Sequence, residues 1–318
     1  MAFFRYILLA ALAACSLNAH AQGYPSKPVK IVVAAGAGTV DDVGARIVAE
    51  RAGAILGQQF FIENRPGAGG SIGQSFVMKS PPDGYTLLLA GGSMAGARYA
   101  NANVTYDVLR DFTPVSLIAT SVFALAANPA LPIRDVKDLI AYAKKNPGKV
   151  TYGTIGAGQM PYWNVMLFNS MAGIDVVQVP YKASPEVVTD LIAGRVDYYI
   201  TGLTSFLPVK DKLKILAVTT SSRSEIVPEV PTMAEAALPG YDMPTWQSIM
   251  GPAGMQREHV ALLNKAIGQA LAAPEVRDRL QKAGLNAAPS TPEELRKRYE
   301  HWMAIFGKIA KDVGLKPQ

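Results

Sequence analysis

The sequence predicts an α/β fold built as two lobes with a ligand cleft between them. Strand-like apolar runs alternate with helix-periodic segments along most of the chain, which is how parallel strands joined by helices read. Two glycine-rich turns far apart, Ala35–Asp42 (AGAGTVDD) and Thr154–Pro161 (TIGAGQMP), each fall between a strand-like run and a helix-like one. With 318 residues the chain is long enough for two ordinary domains.

The first half opens on the strand-like run Val29–Ala34. A helix near Asp41–Leu56 follows, with Val43, Ile47 and Ala54 apolar against polar Arg46, Glu50 and Arg51. Strand-like Gln59–Glu63 leads through Asn64–Gly70 to a helix near Ser71–Lys79, and Pro81-Pro-Asp-Gly84 turns the chain into strand Tyr85–Ala90. Strands that read as solid apolar runs suit a sheet buried on both faces. A long strand-like stretch, Thr113–Ala127, carries the chain into the second lobe. There the alternation restarts with helix Asp135–Asn146, strand Lys149–Gly153, helix Pro161–Ala172 and strand Val176–Tyr181. Helix Pro185–Ala193 and strands Val196–Thr201 and Leu213–Thr219 follow. A loop rich in Pro and Gly, Val227–Pro252, precedes helices near Gln256–Ala272, Pro274–Ala283 and Pro292–Val313. Thr291-Pro-Glu-Glu294 reads as a helix start, with a Thr cap, Pro at the first position and acids in the first turn. The expected division is residues 22–122 with 223–318 in one lobe and 123–222 in the other, with hinges near Thr120–Ala124 and Thr220–Ser224.

Residues 1–21 read as an export signal. Arg5 precedes the apolar run Ile7–Ala14, and Ala19-His-Ala21 is a small-x-small cleavage site before Gln22. Leu12-Ala-Ala-Cys15 competes as a lipoprotein box in which Cys15 is lipidated. Release after Ala21 is the expectation, because the site lies at a normal distance and a structured start, Tyr24-Pro-Ser-Lys-Pro28, follows directly. That cleavage removes the one cysteine and leaves His259 and His301 as the histidines, neither with a partner at metal-ligand spacing. Metal hydrolysis and His-based triads lack material, so no metal and no cofactor is expected. No later segment reaches about 18 uninterrupted apolar residues, the length of a membrane span. The net charge of +6 is spread out, without the basic runs and interleaved aromatics of nucleic-acid binders. A mild positive field of that kind suits anions.

A glycine turn ahead of a helix points free backbone N–H groups and the positive end of the helix dipole at one spot. Two such turns facing each other would grip an anion from both sides. The candidate groups are Gly38, Thr39 and Val40 in the first turn and Gly156, Ala157, Gly158 and Gln159 in the second, with hydroxyls from Thr39, Ser184, Thr201 and Ser205. Asp42 is either a first-turn helix acid or a group contacting a ligand's ammonium or hydroxyl. Arg98 could reach a second carboxylate bidentately, or be an ordinary exposed arginine. Of Tyr162 and Trp163, one is expected to face the ligand, with Tyr162 favoured; Trp246 is either core or cleft lining. The stretch Glu63–Gly73 fails as a dinucleotide fingerprint, because Ile72 stands where the third glycine belongs. A Walker lysine and a G-x-S-x-G elbow are also missing. An exported hydrolase or isomerase remains a remote alternative, with Asp41 or Asp42 as its general base.

These residues resemble the Bug family, the periplasmic solute-binding proteins of tripartite tricarboxylate transporters. The landmarks are Tyr24-Pro-Ser-Lys-Pro28, Glu63-Asn-Arg-Pro-Gly-Ala-Gly-Gly70, Pro82-Asp-Gly-Tyr85, Asp111-Phe-Thr-Pro-Val-Ser116, Asn146-Pro-Gly-Lys149, Val179-Pro-Tyr-Lys182, Leu216-Ala-Val218 and Pro252-Ala-Gly254, spanning Tyr24 to Leu315. The resemblance implies a periplasmic-binding-protein-like fold whose lobes close on a small organic acid without chemistry. One carboxylate is then held by amides and hydroxyls of two opposed loops, which fall on Ala35–Asp42 and Gly156–Tyr162. It also implies a monomeric periplasmic receptor that hands ligand to membrane permease subunits; a sensor kinase is the alternative partner. The chain departs from the family's Pro-Gly-Gly-x-x-Asp loop, since Ala37-Gly-Thr-Val-Asp-Asp42 has Thr39 at the second glycine. Tyr162 stands where a polar residue or His often begins the helix, and Thr201 where many members carry Asp. Losing an acid and gaining hydroxyls suits a more anionic ligand, and gaining aromatics a larger, flatter one. The balance leans toward an aromatic or bulky carboxylate over a C4 dicarboxylate; overpacking would instead make the pocket smaller.

Overall fold

Residues 23–317 are described by the computed structural model, so the expected signal peptide, the Ala21 site and Cys15 lie outside the described residues. The apolar runs become the strands β1 (Val29–Val33), β2 (Phe60–Asn64), β3 (Thr86–Gly91) and β4 (Phe112–Ser121) of a first sheet. The helices α1 (Val40–Leu56) and α2 (Ser71–Met78) connect the first three. The chain then passes through Val122 into β5 (Phe123–Ala127) of a second sheet. There α3 (Val136–Lys145), β6 (Thr151–Ile155), α4 (Met160–Ala172), β7 (Val177–Tyr181), α5 (Ser184–Ile192), β8 (Tyr198–Gly202) and β9 (Lys214–Val218) follow. The first sheet is completed by β10 (Thr245–Pro252) and β11 (Asn286–Ala287), and is flanked by α6 (Arg257–Ala272), α7 (Pro274–Lys282) and α8 (Pro292–Asp312).

The two sheets repeat one plan. The first has strand order β11-β4-β10-β3-β1-β2 and the second β7-β6-β8-β5-β9. β1 pairs in parallel with β2 and β3, and β6 pairs in parallel with β7 and β8. Each parallel trio is then extended by antiparallel strands, β10 and β4 in one sheet and β5 and β9 in the other. The sheets are therefore mixed, where the sequence pattern reads as parallel.

β10 falls inside the segment read from sequence as a loop, yet all eight of its residues are buried. The return path differs as well. After β9 the Val218 amide donates to the Pro231 carbonyl at 2.9 Å, and the Met243 amide to the Thr219 carbonyl at 2.8 Å. Val227 and Val230 pack in one cluster with Val218 of the second sheet. The chain thus stays against the second sheet well past Thr220–Ser224 and enters the first at Thr245.

Local signals explain the helix starts. Thr291 and Glu294 form a capping box at α8 with Pro at the first turn, and Thr39 caps α1. Behind the cleft one apolar cluster runs from Val32 and Leu88 through Trp163 and Phe306 to Leu125 and Tyr198, so both sheets share it.

Candidate functional site

Open α/β sheets present ligands at the carboxyl ends of their parallel strands. Here the loop after β2 meets the loop after β6: Gln159 Nε2 donates to the Gly69 carbonyl at 3.0 Å. Farther along the cleft, Thr204 of the turn after β8 packs against Gly284, where an added Cβ would overlap its methyl group.

The two glycine turns share one backbone geometry from their second glycine onward. Gly36-Ala-Gly-Thr39 aligns with Gly156-Ala-Gly-Gln159, identical in the first three residues, although Gly156 has φ +66° and Gly36 is not in the left-handed region. Gly38 has φ +79° and Gly158 φ +83°, conformations that a side chain strains. Thr39 at φ −69°, ψ 160° and Gln159 at φ −75°, ψ 159° are the helix N-caps. Thr39 N donates to Gly36 O and Gln159 N to Gly156 O, each at 3.4 Å. The next amides, Val40 and Met160, open their helices and have no intrahelical partner.

The turns differ at the third helical residue, Asp42 in α1 and Tyr162 in α4. Asp42 is 3% exposed and fully engaged. Its Oδ2 accepts from Gly38 N at 2.9 Å and from Arg46 Nε at 3.0 Å. Its Oδ1 accepts from Asn64 Nδ2 at 2.9 Å and lies 3.0 Å from an Arg46 terminal nitrogen. Burial opposes its ionisation, but the bonds from Arg46, Gly38 and Asn64 outweigh burial and bring the carboxyl down to about 2. Asn64 also donates to Ala35 O at 3.1 Å, tying the end of β2 to the first turn. Asp41, next to it, accepts from Gln247 Nε2 at 2.8 Å, and burial pushes its carboxyl above the usual range. The Thr39 hydroxyl donates to Gly36 O at 2.8 Å while capping Asp42 N at 3.3 Å, so its proton is spent inside the turn.

In the second half, Ser184 Oγ lies 2.8 Å from the Tyr199 hydroxyl and 3.5 Å from Thr201 Oγ1. These hydroxyls cluster where α5 begins and β8 ends, with Thr201 buried. Ser205 is half-buried in the turn that follows. Tyr162 is 4% exposed and stands edge-to-face on Trp163 with ring centroids 5.7 Å apart. Trp163 is fully buried, its Nε1 donates to Gly158 O at 3.1 Å, and its ring lies 4.7 Å from Phe306. It therefore supports the second turn from behind. Trp246 belongs to the core against Tyr299 and Trp302. Arg98 is half exposed, with its guanidinium 3.3 Å from Asp107.

A cavity of about 470 Å³ opens beside the first turn, lined by Gly38, Val40, Val43, Thr204, Arg279 and Lys282. Another, of about 670 Å³, lies between α1 and β2; Arg46 borders it, but none of the binding residues expected from sequence does. Among the described residues no group of three or more His, Cys, Asp or Glu could hold a metal, and no helix is long and apolar enough to cross a membrane. Sequence reasoning missed Arg46, Asn64 and Tyr199 as site residues. The i, i+4 spacing of Asp42 and Arg46 and the Glu63-Asn-Arg-Pro66 landmark were the signals available for the first two.

The family model described as "Tripartite tricarboxylate transporter family receptor" matches residues 44–315. The chain is 36% identical over 306 residues to the UPF0065 protein in the tcbD-tcbE intergenic region of Pseudomonas sp., covering 93% of this chain and 91% of that one. It is 32% identical to BugT of Bordetella pertussis, covering 96% of this chain and 95% of BugT. Among solved structures, an R. palustris protein with adipate superposes with a TM-score of 0.83 at 33% identity, over 93% of this chain and 100% of that one. MatC from Rhodopseudomonas palustris with bound malate superposes with a TM-score of 0.79 at 29% identity, over 90% of this chain and 100% of MatC. With the two-sheet plan and its paired glycine turns, these similarities place the chain in one family: it belongs to the tripartite tricarboxylate transporter family receptors.

Proposed function

We propose that this receptor captures a small organic carboxylate between its two glycine turns and delivers it to the membrane subunits of a tripartite tricarboxylate-type transporter. The observation that carries this reading is the repetition of the Gly-Ala-Gly turn and helix start, with its open first-helix amides, at the carboxyl end of the corresponding parallel strand of each sheet, β1 and β6. The acids named for the solved relatives, adipate and malate, are aliphatic dicarboxylates and support the class. Tyr162 and Trp163 are both buried, so neither ring is offered at the surface of the turn to stack on an aromatic ligand, and we therefore take an aliphatic acid over an aromatic one. The amides of Val40, Ala157, Gly158 and Met160 hold the carboxylate, and the Ser184, Thr201 and Ser205 hydroxyls line the opposite wall. Arg98, occupied by Asp107, is outside this set. Ligand bridges a lobe of residues 23–122 and 244–317 to a lobe of residues 123–243, and closure follows from tighter binding to the closed state. The receptor works as a monomer in the periplasm after export and cleavage behind Ala21, and performs no reaction on its ligand.

Thermal unfolding of residues 22–318 against mono-, di- and tricarboxylates tests this. A ligand that binds only the folded chain adds about 2.7 kcal/mol of stability at 100 times its Kd. Adipate or malate should raise the midpoint by several degrees; a flat response to every acid contradicts the carboxylate reading.

A further inference from the structure

The first turn of α1 carries two acids, Asp41 and Asp42, whereas the first turn of α4 carries none. Acids at a helix N-terminus cancel the field that attracts an anion. An uncompensated Asp42 would therefore oppose the carboxylate that the first glycine turn is read as binding. The structure supplies the compensation from outside the turn. Arg46, one helical turn along α1, spans both oxygens of Asp42, and a terminal nitrogen of the same guanidinium donates to Asn64 Oδ1 at 3.2 Å. Asn64 closes the ring by donating to Asp42 and to Ala35 O, and Asp42 in turn holds the Gly38 amide. Four groups from α1, β2 and the turn thus form one closed network behind the loop. Asp41 is handled separately, by Gln247 of β10.

We propose that Arg46 and Asn64 are positioning residues for ligand binding, with Arg46 cancelling the charge of Asp42 so that the first glycine turn can face an anion. Asp42 then serves as a brace for the Gly38 amide, and the acid at this position costs no anion affinity. The network fixes geometry through Asn64 and charge through Arg46. The inference rests on the carboxylate reading above.

The test is a charge cycle read by calorimetric titration with adipate, malate and hexanoate. Arg46→Met leaves Asp42 ionised and uncompensated, and should weaken binding about fivefold, the size of one bare charge several ångströms away in a partly hydrated cleft. The loss should be larger for the dianions than for hexanoate and should shrink in high salt. Arg46→Lys keeps the charge but loses the fork that spans Asp42 and Asn64, so it should retain most of the affinity that Arg46→Met loses, which separates charge from geometry. Arg46→Met combined with Asp42→Asn removes both charges and should recover most of the lost affinity. A purely structural role for Arg46 predicts the opposite, a double variant no better than the single one, and that result overturns the inference. Equal affinity in wild type and Arg46→Met overturns it too. A wild type that binds none of the three acids instead sinks the carboxylate reading, and this inference with it.

Discussion

Gly158 holds φ +83° with Ala97 and Ala100 of the other lobe behind it, the nearest atom 3.4 Å from where a Cβ would sit. Gly36, at the start of the matching turn, has open space and no positive φ. Gly158→Ala should therefore cost about 1–2 kcal/mol and weaken ligand binding, while Gly36→Ala should leave the melting temperature within a degree or so. Parallel melting curves of the two variants check this. Asp42 makes a different prediction. Its folded carboxyl sits at about 2 against an ordinary 3.8, so its contribution is present above pH 3.8 and is lost as pH falls toward 2. With allowance for solvent screening around Arg46 this is about 1 kcal/mol. Acid unfolding of Asp42→Asn should lack that portion of the pH dependence; an unchanged profile would remove Asp42 as a buried, ionised brace.

At the scale of elements, both glycine turns and their helix starts were legible in the sequence, because a turn and a cap are set by neighbouring residues. The chemistry of Asp42 was legible only in part, because its role depends on Asn64, a strand away, whereas the bonds of Thr39 stay inside the turn. β10 was hidden for the same reason. Its Trp246-Gln-Ser248 stretch carries no simple periodicity, and its partners β3 and β4 are more than a hundred residues earlier in the chain. The expected lobe boundary between 122 and 123 falls between β4 and β5. The end of one strand and the start of the next inside Thr113–Ala127 were hidden, because both are apolar runs and only their sheet partners separate them. Trp163 offers a test at this scale. Trp163→Phe keeps most of the packing on Phe306 but loses the bond to Gly158 O. It should cost about 1–2 kcal/mol and loosen the second turn, seen as faster amide exchange at residues 156–160. Unchanged exchange there would show that the turn holds itself.

Across the whole molecule, two sheets of one plan face each other over loops that already touch. Gln159 reaches Gly69 on one side and Thr204 meets Gly284 on another, while the shared cluster around Trp163 and Phe306 joins the halves behind the cleft. In the proposed closure the packed apolar joint is the pivot, and the polar contacts at the loop tips are the ones that break. Gln159→Leu should shift the ligand-free chain toward a larger radius of gyration in solution scattering, with ligand restoring the compact value. The central claim, that one carboxylate is gripped by amides from both turns, has a direct measurement: the Kd for adipate in wild type, Val40→Pro and Met160→Pro. Proline at the first helical position deletes one N–H, and the N-caps Thr39 and Gln159 already hold the extended backbone that a following proline requires. Each lost charge-assisted bond is worth about 1.5–3 kcal/mol. Both variants should keep their melting temperatures and bind about tenfold or more weakly; wild-type affinity in both would contradict the two-turn grip.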